Sequence, residues 1–267
     1  MSTSAVPDQT AAPAVAAKLA SSPEEIEACQ ALRFRVFYED GGAKADALSL
    51  SRKLDADGYD EICDHLMVTA GEHAVGTYRL LRQEQLPEGM RFYSQAEFDL
   101  EPLLERKRSL NFLELGRSCV LPEYRTKGVI EVLWQSIWNY VRAHKLDVML
   151  GCASLPPGAG AELNVALNYL RAFHAAPPEW SAKVHRHCAA AMEPLAEDAF
   201  RPRAAFEALP PLVKGYLRLG AHVGEGAARD EQFNTTDVLI VLPVSAIRPR
   251  YFARFGAPDE APQPLMS

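Results

Sequence analysis

The run from Asn111 to Ile130, NFLELGRSCVLPEYRTKGVI, constrains this chain more than any other, because it reads as strand, loop and helix start in that order. Between Phe112 and Leu121 only Glu114, Arg117 and Ser118 interrupt apolar or small residues, and Pro122, lacking an N–H for a ladder, ends the strand. Val129, Ile130, Val132, Leu133, Ile137, Trp138, Tyr140 and Val141 then recur at helical spacing. Unpaired N–H groups at that helix start, with Arg125, Lys127 and Gly128 beside them, form a site for a phosphate or another anion. Glu114 and Arg117 must pair or bind something polar, since burying either alone costs several kcal/mol. Three residues apart, they face opposite sides of a regular strand, and a bulge hosted by Gly116 would bring them to one face.

Upstream, Ala14 to Ala20 is expected to form a first strand. Ser22-Pro23-Glu24-Glu25 marks a helix start, with Ser22 as N-cap and Glu25 closing a capping box. Ile26, Cys29, Leu32, Phe34 and Phe37 give that helix its buried stripe. Residues 38–53 lack a strong period. His65 opens a strand that continues through Ala70, turns at Glu72-His73 and returns from Ala74 to Leu81 as a hairpin. Residues 82–110 read as loop and short helix, a candidate lid. Asp147 to Ser154 is a further strand, residues 155–206 a helical insertion, Leu209 to Leu219 a helix ended by Gly220, and Val238 to Pro243 a buried strand.

Composition narrows the function classes. The chain has 267 residues, 48% hydrophobic and 24% charged, and a net charge of −7, which suits a globular fold and argues against bulk nucleic-acid binding. Five cysteines without a C-x-x-C pair read as reduced cytosolic thiols. His185-Arg-His187-Cys188 has no second cluster at ligand spacing, so no metal is expected. No apolar run approaches the roughly 20 residues that span a bilayer, and the N-terminus lacks the pattern of a signal peptide. A cytoplasmic protein, at most peripheral on the inner membrane, is expected.

The strand, Arg-x-x-Gly loop and helix resemble the acyl-donor site of the GCN5-related N-acetyltransferase fold. Glu-Leu-Gly-Arg-Ser-Cys-Val-x-Pro-x-Tyr-Arg at 114–125 resembles the bacterial ornithine-acyl carrier protein N-acyltransferases, relatives of the acyl-homoserine-lactone synthases. So do Pro210-Pro-Leu-x-Lys-Gly-Tyr-x-Arg-Leu-Gly220 and Phe233-Asn-Thr-x-Asp237. Arg35-Val-Phe37, Asp55-x-Asp57-x-x-Asp60, Arg79-Leu80 and Glu114-x-x-Arg117 match, in order, a pattern lining the active side of the synthases; Asp55 stands where that family has Glu. The resemblance implies an α+β fold, a mostly antiparallel mixed sheet flanked by helices, in a single domain over residues 14–256 between tails at 1–13 and 257–267.

It also implies an activity: transfer of a 3-hydroxy fatty acyl group from the phosphopantetheine thioester of an acyl carrier protein to the α-amine of ornithine, with no permanently bound cofactor. The α-amine titrates near 8, so a base is required. Glu114 is the candidate and His65 the alternative; a plain structural Glu114–Arg117 ion pair is the bland rival. Arg35, Asp55, Asp57, Asp60, Arg79 and Arg117 are assigned to the acceptor, with Arg79 alternatively holding the acidic loop. Cys119, Val120, Arg125, Lys127, Gly128 and Ser154 are assigned to the acyl donor. An acyl-homoserine-lactone synthase and a haemolysin-like membrane-binding protein are the alternatives.

Overall fold

The computed structural model of the protein describes residues 14–156 and 160–261. The tail expected at 1–13, and residues 262–267 of the tail expected at 257–267, lie outside them. The first half contains β1 (Val15–Leu19), α1 (Pro23–Phe34), α2 (Ala47–Arg52), β2 (Asp64–Ala70), β3 (His73–Arg82), β4 (Phe98–Asp99), α3 (Glu101–Arg106), β5 (Phe112–Val120) and α4 (Lys127–Ala143). There follow β6 (Val148–Leu155), α5 (Gly160–His174), β7 (Lys183–Val184), α6 (Pro202–Ala208), α7 (Pro211–Leu219), β8 (His222–Val223), β9 (Ala228–Asp230), β10 (Thr235–Pro243) and α8 (Phe252–Phe255).

Local signals act as the sequence leads one to expect, with one change. The Ser22 hydroxyl caps α1 by accepting the Glu25 N–H at 3.3 Å. Glu25 does not reach back to Ser22; its carboxylate accepts the Ser21 N–H at 2.7 Å while pairing with Lys18 of β1 at 2.5 Å. The pull of that ammonium ties the helix start to the first strand. The insertion holds less helix than expected: after α5 the chain runs extended past Pro177-Pro178, and β7 pairs with β4 instead of coiling.

The main sheet runs β1-β2-β3-β5-β6-β10-β8, with β9 also on β10. Every pairing in it is antiparallel except β5 with β6. The core occupies both faces, as the period-two alternation of β10 requires: Val238, Ile240 and Leu242 join one apolar cluster, Leu239 and Val241 the other. Residues 256–260 pack back on α4, where Trp138 Nε1 donates to the Gly256 carbonyl at 2.9 Å.

Two irregularities shape the functional region. β5 and β6 pair only from Phe112 to Glu114 opposite Val148 to Leu150; beyond that β5 follows β3 and β6 follows β10, so the two strands fork. β5 also carries an extra residue. Gly116 pairs with Arg79 and Cys119 with Thr77, so Arg117 and Ser118 stand opposite Tyr78 alone. The expected bulge therefore exists, but the left-handed backbone falls on Arg117, φ 49°, one residue beyond Gly116.

At the crotch of the fork Gly151 approaches β5 so closely that a Cβ would stand 2.3 Å from the Leu115 carbonyl oxygen, whereas a Cβ on Gly116 would meet nothing within 4 Å. Gly151→Ala is expected to cost about 1–3 kcal/mol through overpacking, and Gly116→Ala clearly less. Urea midpoints of the two variants check this, and equal midpoints would contradict it.

Candidate active site

The fork opens into a cavity of about 950 Å³. Leu115 to Val120 of β5 form one wall, Cys152 to Ser154 of β6 another, and the start of α4, with Arg125, Thr126 and Lys127, lies along it. Past Glu114 the edge of β5 that faced β6 has lost its partner, so alternate backbone N–H and C=O groups of β5 turn toward this space. One end is apolar: Leu133, Trp134, Ile137, Leu219 and Phe255 line it and continue into a recess of about 40 Å³ against Trp138, Met149 and Phe252.

Glu114 reaches the cavity from the other end. Its carboxylate is buried, and each oxygen accepts one backbone N–H, from Tyr93 at 2.8 Å and Ser94 at 2.7 Å. These donors open the 3-10 turn Tyr93–Ala96, so the segment expected to act as a lid serves as a cradle for the carboxylate. Burial pushes Glu114 above the ordinary carboxylate range, and the Ser94 and Tyr93 donors only partly oppose it. Glu114 and Arg117 do not pair with one another; neither makes its ion pairs or hydrogen bonds to the other.

The charged residues behind this wall form a closed ring of alternating sign. Arg33 Nε meets Asp55 at 2.8 Å and Arg33 Nη2 meets Asp60 at 2.8 Å. Arg79 meets Asp57 at 2.6 Å and Asp60 at 3.5 Å. Arg117 closes the circuit on Asp55 at 3.2 Å and Asp57 at 3.3 Å. Three arginines thus neutralise three aspartates, with Tyr38 donating to Asp55 at 3.1 Å and Gln30 to Asp60 at 3.2 Å. Arg117 lies between the Tyr93 and Phe233 rings, its guanidinium 4.7 Å from each centroid. Burial works against the charge of Arg117, but the Tyr93 phenol and the Asp55 and Asp57 carboxylates outweigh it and hold the group firmly protonated.

This arrangement sorts the residues predicted from sequence. Glu114, Arg79, Arg117, Cys119, Val120, Arg125, Lys127 and Ser154 line the cavity; Gly128 sits beside it in the first turn of α4, which Thr126 caps. Asp55, Asp57 and Asp60 do not line it, because the ring turns them onto arginines. Arg79 holds the acidic loop, the plainer of its two expected roles. Arg35 is misplaced by the sequence pattern: its side chain is 50% exposed and pairs with Glu123 at 3.3 Å, while Arg33, 0% exposed, occupies the ring. Two residues, about half a helical turn, decide this, since Arg33 faces inward beside Leu32 and Phe34. The spacing Arg33-x-x-Val36-Phe37 was the usable signal. His65 is sealed beneath the ring, Nε2 3.1 Å from the Asp60 carbonyl, and burial lowers its pKa; it does not reach the cavity.

Sequence reasoning missed a second acidic group. Glu97 and Asp237 converge with Cys152, their ligand atoms within 4.8 Å of one another. Burial, reinforced by their mutual repulsion and by Asp230, lifts Glu97 to about 7, and burial with Asp230 nearby lifts Asp237 to about 6. The thiols beside the cavity are inert by the same physics, as burial pushes Cys119 and Cys152 up, out of the thiolate range at neutral pH.

Comparison with known proteins identifies the family. The chain is 45% identical over 247 residues to the L-ornithine N(alpha)-acyltransferase of Brucella abortus (strain 2308), covering 90% of this chain and 88% of that protein. The chain belongs to the L-ornithine N(alpha)-acyltransferase family. The enzyme of the same name from Rhizobium meliloti (strain 1021) is 46% identical to this acyltransferase over 90% of this chain and 83% of its own. Residues 32–135 match the family described as the acetyltransferase (GNAT) domain. In fold, the acyltransferase is similar to FeeM, an N-acyl amino acid synthase from uncultured soil microbes, with a TM-score of 0.53 at 12% identity, covering 90% of this chain and 98% of that one. Among the described residues, no helix is long and apolar enough to cross a membrane.

Replacing Arg33 takes one of two arginine partners from each of two buried carboxylates, Asp55 and Asp60. Arg33→Met is expected to lose about 3–5 kcal/mol of stability, and Arg35→Met to stay within about 0.5 kcal/mol of the parent, as for an exposed residue. Chemical denaturation of the two variants separates them, and a costly Arg35→Met would relocate the network. Asp60 adds a pH arm. Its folded pKa is lowered, burial being outweighed by Arg33, the Asp57 N–H and Arg79 together, so its contribution is present above the unfolded value near 3.9 and is lost as pH falls through the folded one. Stability measured from pH 6 downward should fall below about pH 4 in the parent, and less steeply in Asp60→Asn.

Proposed function

We propose that this acyltransferase moves a 3-hydroxy fatty acyl group from the phosphopantetheine thioester of an acyl carrier protein to the α-amine of L-ornithine, giving a lyso-ornithine lipid on the cytoplasmic side of the inner membrane. The observation that carries the reading is the Glu114 carboxylate, held on two backbone N–H groups and open to a cavity at a fork between strands. A carboxylate fixed in that way cannot rotate off its substrate. Its raised pKa brings it toward that of the amine it must deprotonate.

The pantetheine arm enters through the fork, with its phosphate toward the start of α4. Arg125, Lys127, Arg218 and Arg254 on the cavity wall supply cations for that phosphate and for an acidic carrier protein. The fatty chain lies along Leu133, Trp134, Ile137 and Phe255. Glu114 takes a proton from the ammonium and releases it to water; the freed amine nitrogen then attacks the thioester carbonyl, the C–N bond forms, the C–S bond breaks, and the second proton leaving nitrogen passes through Glu114 to the departing thiolate. Unpartnered N–H groups of β5 near Cys119 and Val120 stabilise the oxyanion. Burial disfavours the thiolate at Cys119 and Cys152, which supports direct transfer to the amine over an acyl-cysteine. The acceptor's carboxylate lies toward Arg117.

Purified protein incubated with 3-hydroxyacyl carrier protein and ornithine should yield acyl-ornithine by mass, and much less product with the coenzyme A thioester or with lysine, glutamine or glycine. Glu114→Gln should lower turnover by about 10²–10⁴-fold. The variant places an amide N–H₂ against a backbone N–H, which costs about 1–3 kcal/mol, so its melting curve is recorded in parallel. A folded Glu114→Gln protein with near-parent turnover would remove Glu114 as base.

A further inference from the structure

On the cavity wall away from the charge ring stand acids that no cation matches. Asp237 is only 6% exposed yet lines the cavity. Its Oδ1 accepts the Thr235 hydroxyl at 2.8 Å and the Ser154 hydroxyl stands beside the same carboxylate, but among the described residues no lysine, arginine or histidine pairs with it. The Cys152 thiol donates to Glu97 at 3.1 Å, and both lie within 4.8 Å of the Asp237 carboxylate. Asp230 lines the same wall, one oxygen spent on the Gln232 and Phe233 N–H groups. A buried carboxylate without a cation is costly. The ring neutralises Asp55, Asp57 and Asp60 with arginines, and Glu114 is held on two backbone N–H groups; Asp237 has neither, which points to a cation that arrives from outside.

We propose that Asp237, with Glu97 and Asp230, forms the subsite that takes the side-chain ammonium of a diamino-acid acceptor. This rests on the proposed transfer to an amino acid and deepens it, by assigning residues that distinguish a cationic side chain from a neutral one. Two rulers fit it. Ser94 holds Glu114, and Glu97 follows three residues later as the C-cap of the same 3-10 turn, a rise of about 6 Å. Leu150 pairs with Glu114, and Cys152 follows two residues along β6, a rise of about 6.6 Å. Both separations suit the reach of a three-methylene chain whose α-amine stands at Glu114. The acidic wall also explains why the acceptor lies one way round: its carboxylate is repelled by Asp237 and drawn toward Arg117, which leaves the α-amine at the base.

The test uses the full chain. Calorimetry measures L-ornithine and L-norvaline, its neutral-chain counterpart, binding to the parent, Asp237→Asn and Glu97→Gln; turnover with 3-hydroxyacyl carrier protein is measured in parallel. Asp237→Asn keeps an acceptor for Thr235 and removes an unpaired buried charge, so it should fold; Glu97→Gln is an independent second probe. The parent should bind ornithine at least tenfold more tightly than norvaline. Asp237→Asn should erase most of that ratio, raising KM for ornithine at least tenfold while kcat with ornithine falls less than threefold. An unchanged ratio in both variants, or no binding of ornithine to the parent, overturns the subsite. So does a Zn²⁺ titration in which the metal binds in an Asp237-dependent way while ornithine binding is unaffected. Ornithine binding that depends on Asp237 without any acyl transfer would sink the proposed reaction and leave the subsite standing.

Discussion

The interaction on which the rest of the functional region depends is the closed circuit Arg33–Asp55–Arg117–Asp57–Arg79–Asp60. It draws residues from α1, the acidic loop, β3 and the bulge of β5, and no single element holds more than part of it. Each charge meets two of opposite sign, so desolvation is repaid at every vertex and removing any one exposes two others. The circuit also explains a costly backbone. Arg117 occupies the left-handed region, which a non-glycine residue avoids by roughly 1–2 kcal/mol, and its two ion pairs and two aromatic contacts hold it there.

From that fixed point the catalytic geometry follows. The bulge that turns Arg117 toward the cavity lies just past the place where β5 leaves β6, so the strand edge that would have been spent on a ladder is left open to a ligand. Glu114 sits at the last paired position before the fork, where the β3 partner Leu81 and the 3-10 turn keep it dry while the cavity keeps it reachable. Burial raises its proton affinity and the two N–H donors limit the rise. Acids with matched partners thus lie behind the cavity while Asp230 and Asp237, without a cation, line it, and that difference separates structural charge from charge free to meet a ligand.

Much of this was legible in the chain. The strand, loop and helix around Glu114, the hairpin from Asp64 to Arg82, the Ser22 cap and the buried β10 follow from period, proline position and capping chemistry, all of which act over a few residues. The motifs at 210–220 and 233–237 stood out without a role, and both line the cavity. The failures have one cause. Arg33 and Arg35 carry the same chemistry two residues apart, and only packing says which faces Asp55 and Asp60. The acids at 55, 57 and 60 looked free to bind an amine because their arginine partners come from 19 to 62 positions away.

By itself the sequence determined the kind of fold, the strand that carries Glu114 and the family of chemistry, since these rest on local periodicity and on motifs contiguous in the chain. Only the tertiary structure decided which charges cancel and which remain. Glu97, Cys152 and Asp237 come from three separate segments, and nothing in their neighbours announces a shared pocket. Whether a carboxylate is neutralised depends on what lies within about 4 Å of it, a property of the folded chain that no run of residues contains.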